Sequence, residues 1–244
     1  NEMIAHASSL LKESPNNQLA NLSMGEALQA TGNPHESIAY FKRLPSDNAG
    51  ALIGQALAHA KIGNNKEAAS FFESAWKKYP GNIMLFRDYA DFLLTRKQYR
   101  KLQSLYPALP ATPEATYWKY YLDAKIAEIL HKPEDLRKNY AEAIAALKKM
   151  PQSSATQYQL AFLYASLNQD AEAAKIYRKL LEENPNAVML IINLSEVEAA
   201  LGNHTDALLL AEKAVRLDSH SAFAKECLAR RKAEAKKNSA SPKK

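Results

Sequence analysis

Apolar residues recur along this chain at intervals of three and four positions, over segments of about a dozen residues. One such segment carries its apolar residues at Leu160, Leu163, Tyr164 and Leu167. This spacing places the side chains on one face of an α-helix. The alternation of apolar and polar residues that is typical of β-strands is absent over any useful length. The pattern therefore predicts an all-α protein.

The helical pattern repeats with a period of 34 residues. Residues 154–187 align with residues 188–221, and residues 49–82 fit the same frame. The matching slots of the first two stretches hold Leu160 and Leu194, Ala161 and Ser195, Ala173 and Ala207, and Leu180 and Ala214. Small side chains at facing slots let two helices approach closely, and larger ones would overpack the contact. A repeat of this length is one helix–turn–helix unit, which buries its apolar face only against its neighbours.

Turn residues separate the two helices of each unit. Gly-Asn pairs stand at residues 32–33, 63–64 and 202–203, and Asn168 takes the equivalent place in another unit. Glycine and asparagine readily adopt the left-handed conformation that ends a helix. Pro185 follows a second helix, where a proline blocks further helical structure.

Taken together, these features resemble the tetratricopeptide repeat, a 34-residue pair of helices. The resemblance is good for residues 49–82, 154–187 and 188–221, fair for residues 18–48 and weak for residues 83–106. It implies a right-handed α-solenoid of about six helix pairs, with a leading half-repeat and a C-terminal capping helix.

Departures from the period divide the chain into segments. Pro107, Pro110 and Pro113 predict a stiff, extended joint. Thr112 is expected to cap the helix that follows, and residues 132–135 to form a turn within the next hairpin. The sequence starts at Asn1 without an initiator methionine, so we expect a fragment of a longer protein. The predicted segments are a half-repeat over 1–17, repeats over 18–106, a proline-rich joint over 107–113, an irregular helical hairpin over 114–152, repeats over 153–221, a capping helix over 222–237 and a basic disordered tail over 238–244.

The net charge of +6 is concentrated at the C-terminal end. Residues 225–244 hold eight basic and two acidic residues, so the rest of the chain is neutral. We interpret this segment as a solvated helix end whose cations lie near the negative end of the helix dipole. Contact with acidic lipid or nucleic acid is the alternative. Nucleic acid is not expected as the main ligand, because no aromatic residues are interleaved with basic ones in the repeats.

No residue pattern predicts an active site, a cofactor or a metal ion. The six histidines do not have the spacing of metal ligands, and the single Cys227 excludes a framework of internal disulfides. No apolar run approaches the roughly 18 residues of a membrane span, so we expect membrane attachment only through a segment outside this sequence. The chain is therefore expected to be non-enzymatic.

The resemblance implies that the first helix of each repeat lines a concave groove. Carried over by position, the candidate partner-binding residues are Leu22, Ile53, Leu57, Lys61, Met84, Arg87, Tyr158, Phe162, Met189, Ile192 and Asn193. We expect an apolar groove for a protein or an amphipathic peptide, in which Lys61 and Arg87 take an acidic group. Asn193 matches an asparagine that bonds the peptide backbone in many such repeats. The carboxylate clamp of chaperone-binding members is not expected, because Leu22 and Ile53 stand where it needs lysine. The alternative is that the protein fills part of the groove itself.

A second candidate interface is the aromatic group of Tyr117, Trp118, Tyr120 and Tyr121. Tyrosine and tryptophan are enriched at protein interfaces, because they combine a large area with a polar group. The alternative is that at least two of the four fill the core of the irregular hairpin.

We therefore expect a scaffold or adaptor that holds a partner protein or peptide. The resemblance to bacterial repeat proteins favours envelope assembly, such as pilus, secretion, polysaccharide or cytochrome biogenesis. It also favours a periplasmic or membrane-anchored soluble domain over a cytoplasmic one. Two alternatives stay open: an accessory domain of a larger enzyme or membrane protein whose other part precedes Asn1, and a repeat protein that self-associates.

Overall fold

The computed structural model describes the backbone of residues 2–240 and the side chains of residues 3–236. Within this part of the chain the secondary structure is helical, with no strand. The helices are α1 Glu2–Glu13, α2 Gln18–Ala30, α3 Pro34–Phe41, α4 Ala49–Lys61, α5 Asn65–Lys78, α6 Ile83–Thr95, α7 Tyr99–Ser104, α8 Pro113–Ile129, α9 Pro133–Leu147, α10 Ser154–Ser166, α11 Asp170–Glu183, α12 Val188–Ala200, α13 His204–Leu217 and α14 Ala222–Ala240. A short 3₁₀ helix covers Tyr106–Ala108. The predicted all-α solenoid is confirmed: α1 leads, α2 to α13 form six pairs, and α14 closes the series.

A three-residue connection joins the two helices of every pair in the described chain. Its middle residue has a positive φ in each case, at Gly32, Gly63, Lys97, His131, Asn168 and Gly202. This conformation lets the chain reverse immediately after the last helical turn. The predicted turn at residues 132–135 begins earlier than expected, because His131 takes the left-handed position and Pro133 is already the first residue of α9.

The described helices form two compact units, Asn1–Ala111 and Thr112–Lys244. In the first unit each of α1 to α6 packs against the next helix, and α4 also contacts both α2 and α6. The aromatic rings of Phe72 and Tyr89 stack with their centroids 5.0 Å apart. Phe92 lies 5.1 Å from Phe72, so residues of α5 and α6 share one aromatic core.

The end of this first unit corrects the prediction of an extended joint over residues 107–113. Pro107 belongs to the 3₁₀ helix, whose last turn closes with a hydrogen bond from Leu109 to Tyr106. Extended backbone is found at Leu109 and Thr112. Pro113 is the first residue of α8, and the Thr112 hydroxyl accepts a hydrogen bond from the Ala115 amide at 3.2 Å. Thr112 is therefore the N-cap that the sequence predicts.

In the second unit the long hairpin of α8 and α9 packs against α10, and the remaining pairs follow. Tyr140 and Leu147 of α9 are buried with Leu160 and Leu163 of α10. Tyr177 and Leu194 belong to the next cluster along the chain. Each pair thus shares its apolar residues with the following one, as expected for tandem repeats.

The closing helix α14 is held by buried polar contacts as well as apolar ones. The Cys227 thiol donates to the Ser195 hydroxyl at 3.4 Å, and this hydroxyl donates to the Ala207 carbonyl at 2.7 Å. Arg231 is buried and pairs with Glu196 at 3.2 Å and with Glu234 at 3.0 Å. At least one of the C-terminal cations is therefore an internal ion-pair partner and not part of a solvated helix end.

Helix α14 also corrects the predicted limits of the tail. The capping helix was expected to end at residue 237, but it continues to Ala240, so residues 238–240 are helical. Residues 241–244 lie outside the described chain.

Candidate interaction groove

The first unit contains a cavity of about 590 Å³ lined by its first helices. Helix α2 contributes Glu26 and Gln29, and α4 contributes Leu57 and Lys61. Helix α6 adds Asp88, Asp91, Phe92 and Arg96 beside it, while Phe72 reaches the cavity from α5. Phe72 and Phe92 are buried, so the floor is apolar and the polar side chains stand around it. We refer to this surface as the groove.

Two of the predicted partner-binding residues, Leu57 and Lys61, line the groove. Leu22 and Ile53 are half-buried, and Leu22 lies against Gly50, where an added Cβ would come within 2.6 Å of its Cδ1. Met84 is 74% exposed. Arg87 is exposed as well, but neither it nor Met84 contributes to the groove lining.

The two cations of the groove are held by neighbouring groups of the protein. The Lys61 ammonium donates to the Gln29 carbonyl at 3.2 Å. The Arg96 guanidinium lies 3.9 Å from the centre of the Phe92 ring, and its Nε donates to Asn65 Oδ1 at 3.1 Å. Both side chains are therefore held in place by neutral groups of the unit, and their positive charges remain in the groove.

Three carboxylates face the same space: Glu26, Asp88 and Asp91. Burial raises the pKa of Asp88 above its usual range, the charge of Arg87 opposes this effect, and the charge of Asp91 adds to it. The groove therefore combines an apolar floor with three carboxylates and two cations, and Asp88 is the carboxylate that burial affects.

The three carboxylates were not part of the sequence expectation, which was an apolar groove in which Lys61 and Arg87 take an acid. Sequence reasoning did not select Asp88, Gln29 or Arg96 as site residues. Their convergence depends on the packing of α2, α4 and α6, and no local motif marks it. A repeat-by-repeat comparison of acidic positions on the first helices is the one signal that could have indicated the charge.

In the second unit two of the predicted partner-binding residues, Tyr158 and Asn193, bond to each other. Asn193 Nδ2 donates to the Tyr158 hydroxyl at 3.0 Å, and the Tyr158 ring lies 6.1 Å from that of Tyr177. Phe162 and Met189 are 38% and 47% exposed. Ile192 is wrong as a partner-binding residue, because it is only 6% exposed and packs in the core against α14.

The aromatic group of α8 packs mainly inside the second unit. Tyr117 is 4% exposed, which excludes it as an interface residue. Trp118, Tyr120 and Tyr121 are half-buried and pack against the same core cluster. The Tyr117 ring lies 5.1 Å from Trp118 and 5.7 Å from Tyr121. Filling of the hairpin core, the alternative at the sequence level, accounts for these contacts.

The side chains that could take part in catalysis, Cys227 and His59, are packed against other residues of the protein. Burial raises the pKa of the Cys227 thiol, so it stays protonated at neutral pH. The His59 ring stacks on Phe71 at 5.5 Å, and burial lowers its pKa. Within the described side chains, no cluster of three or more His, Cys, Asp or Glu residues is arranged to hold a metal ion. None of the described helices combines the length and hydrophobicity needed to cross a membrane.

Comparison with known sequences gives two regions of similarity. Family models described as tetratricopeptide repeat match residues 22–83 and residues 136–191. The first region covers most of α2 and all of α4, two helices that line the groove. The second region covers α9 to α11 almost entirely. No curated protein sequence matches the chain significantly.

Solved structures of similar fold include three helical-repeat proteins. The Cut9–Hcn1 hetero-tetramer of the APC/C gives a TM-score of 0.64 at 16% identity, covering 95% of this chain and 46% of the other. A tetratricopeptide repeat protein from Parabacteroides merdae gives 0.62 at 14% identity, covering 91% and 88%. Yeast Tom70 gives 0.60 at 16% identity, covering 96% and 58%. The chain thus spans about half the length of the first and third of these structures, and at such identities the likeness concerns the fold.

Proposed function

Since this chain is a tetratricopeptide repeat protein, we propose that it is a non-enzymatic scaffold that binds a partner protein or peptide in the groove of the Asn1–Ala111 unit. One observation carries the proposal: a cavity of about 590 Å³ that combines an apolar floor with ionised side chains from three successive first helices. Concave surfaces of this composition are typical ligand sites. The crystal structure of Cut9 with Hcn1 is itself that of an assembly, which supports an interaction role for the fold.

A binding role also agrees with the chemistry of the described residues. Catalysis needs a nucleophile, base or metal held within reach of a substrate. Cys227 is buried and its thiol bonds to Ser195, while His59 packs on Phe71. These contacts favour a structural role for both side chains.

The narrower form of the proposal places this scaffold in bacterial envelope assembly, in the periplasm or attached to a membrane through another segment. It rests on the resemblance to bacterial repeat proteins. Protease accessibility of a tagged chain in intact cells and in spheroplasts tests it. Digestion only after removal of the outer membrane is expected, and protection until cell lysis would contradict this location.

The binding role itself is tested by blocking the groove. Ala60 lines the groove on α4 and is half-buried, so Ala60→Trp should fill the space that a ligand needs. The matched control is Ala39→Trp, since Ala39 is an exposed alanine of α3 in the same unit. Tagged wild type and both variants are used to recover partners from an extract of the native host, with quantitative mass spectrometry as the readout.

We expect a protein that is recovered by the wild type and by Ala39→Trp and is lost with Ala60→Trp. Circular dichroism should show equal helicity for all three chains. Equal recovery by both variants would contradict binding in the groove.

A further inference from the structure

We propose that the closing helix α14 is exchanged between two copies of this chain, so that α14 of one copy docks on α12 and α13 of the other. The surface that receives it is the α12–α13 edge, formed by Ile191, Ile192, Ala211 and Ala214. This exchange lies beyond the proposed function, since it involves the second unit alone and is independent of the groove. Three features support it: the composition of the α14 interface, the place of α14 among the repeats and the bonding of the connection before it.

Helix α14 is held by few and small apolar side chains. Among its described residues, Ala224 and Cys227 are the buried apolar ones, and Leu228 is half-buried. Arg231 adds a buried charged group whose Nε has no hydrogen-bond partner in the described part of the chain. The internal helix α11, by contrast, buries the large ring of Tyr177. Because docking free energy grows with the apolar area buried, α14 gains less from docking than an internal helix does.

The polar contacts of α14 converge on two adjacent residues of α12. Arg231 and Arg230 both pair with the Glu196 carboxylate, at 3.2 Å and 2.8 Å. The Cys227 thiol bonds to the Ser195 hydroxyl at 3.4 Å. These contacts fix the position of the docked helix. The same donors and acceptors meet whichever copy supplies α14, so exchange requires no new interface.

The place of α14 at the end of the described repeats allows it to open by itself. It packs against α13 and α12, whereas an internal helix has neighbours on both sides. In tandem repeats a terminal element therefore opens without disturbing the rest. Opening uncovers the apolar α12–α13 edge together with Glu196. A helix with a small apolar face and two arginines fits this edge, and α14 of a second copy is such a helix.

The connection from α13 to α14 is short, exposed and locally bonded. Asp218, Ser219 and His220 are exposed. Asp218 Oδ1 accepts hydrogen bonds from the amides of His220 and Ser221, each at 3.0 Å. The Ser221 hydroxyl accepts one from the Ala224 amide at 3.2 Å, which caps α14. Because these bonds join close neighbours in sequence, the connection can turn toward a second copy while the bonds between the repeats stay intact. Short reversing connections of this kind are hinges of exchanged elements.

The first test uses two chains that carry one cysteine each. One is the wild type, whose single cysteine is Cys227, and the other is the double variant Ser195→Cys, Cys227→Ser. The Cys227 sulfur lies 3.4 Å from Ser195 Oγ, so an exchanged α14 brings the two thiols of different chains together. A short connection gives intrachain docking an effective concentration in the millimolar range, so the tagged chains are incubated together at about 1 mM. They are then oxidised with diamide and analysed by non-reducing electrophoresis and mass spectrometry.

We expect a heterodimer linked through positions 195 and 227, whose fraction falls at least about fivefold when the chains are incubated at about 0.05 mM. The matched control is the double variant Ala200→Cys, Cys227→Ser, since Ala200 is an exposed alanine of α12. It should give only background cross-linking to the wild type. The single variant Ser195→Cys should close a disulfide within its own chain at low concentration. Closure within the chain without any link between chains, or equal linking from position 200, would overturn the proposal.

The connection gives a second test that needs no thiol chemistry. Deleting Ser219 and His220 makes the connection too short for α14 to fold back, so α14 reaches only a second copy. Inserting about six glycine and serine residues relaxes the reversal and favours docking within one chain.

Light scattering should give a dimer for the deletion variant and a monomer for the insertion variant, with equal helicity in circular dichroism. In the dimer, the amides of residues 222–236 should be protected from hydrogen exchange. A monomeric deletion variant would overturn the proposal. A dimer in which these amides exchange freely would place the association elsewhere and overturn it as well.

Discussion

At the scale of single residues, Phe41 sets how closely the first two groove helices approach. Its ring is fully buried and touches α2 at Gly25 and α4 at Gly54. A Cβ at Gly25 would come within 2.5 Å of Phe41 Cε1, and one at Gly54 within 2.4 Å of Cζ. Only glycine therefore leaves room for the ring between helices that both line the groove.

This contact predicts a clear difference between two glycines of α4. Gly54→Ala should destabilise the protein by about 1–2 kcal/mol, because overpacking against a fixed ring outweighs the roughly 1 kcal/mol gain in helix propensity. Gly50→Ala should be neutral or stabilising by up to about 1 kcal/mol, because the atom it meets is Cδ1 of the flexible, half-buried Leu22. Urea unfolding measures both, and equal stability of the two variants would show that Phe41 does not fix this distance.

At this scale the sequence predicts local features of single residues but not the contacts between repeats. The small slots and the left-handed turn at Asn168 follow from local propensity, so they were predictable. Buried Arg231 pairs with Glu196, and Asn193 donates to the Tyr158 hydroxyl. Each contact joins residues about one repeat apart. Such pairings depend on how successive repeats pack, and a single sequence does not specify them.

At the scale of the elements, N-caps mark the starts of the first helices. In the described chain a side-chain oxygen at the cap accepts a backbone N–H three residues later at Asn17, Asn48, Asn82, Thr112, Ser153 and Ser221. Helix α12 is different, because its N-cap is Ala187, which has extended backbone but no side-chain oxygen. One amide at this helix start lacks the partner that the other repeats supply.

Supplying the missing cap should stabilise the second unit. Ala187→Asn is expected to raise the free energy of unfolding by about 1 kcal/mol, since asparagine is a preferred N-cap and the backbone already has the required conformation. Ala187→Leu has a similar shape without a hydrogen-bond acceptor and should bring no such gain. Thermal and urea unfolding of the two variants measure the difference, and identical behaviour would show that capping does not limit the stability of α12.

The attachment of α14 depends on one buried cation. Arg231→Ala should destabilise the docked helix by about 2–3 kcal/mol, because it removes a buried stem and its bonds to Glu196 and Glu234. Arg230→Ala is the matched control. Its side chain is 53% exposed, so the loss of its pair with Glu196 should cost less than about 1 kcal/mol.

The amide hydrogen-exchange rates of residues 222–236 measure directly how firmly this helix is docked. Faster exchange is expected for Arg231→Ala and nearly unchanged exchange for Arg230→Ala. Similar exchange in both variants would mean that apolar contacts alone hold α14.

At the scale of the whole molecule, the fold was more predictable than the site. The period of 34 residues is a local property repeated along the chain, and it indicates six helix pairs from the sequence alone. The charge of the groove arises where α2, α4 and α6 bring together residues such as Glu26 and Asp88, which are separated in sequence. Leu57 and Lys61, which position-by-position transfer selected as partner-binding candidates, both line the groove, but the transfer gave no indication that Lys61 bonds to the Gln29 carbonyl.

The central claim, that a partner occupies the groove, is tested most directly by site-specific photo-cross-linking in the native host. Lys61 lines the groove and is exposed, so a benzoylphenylalanine at this position should be tolerated and face the partner. Ala39 on α3 serves as the exposed control position outside the groove lining. We predict a discrete cross-linked protein from position 61 that is absent from position 39. Cross-linking from position 39 alone, or to the same protein with equal yield at both positions, would contradict the account.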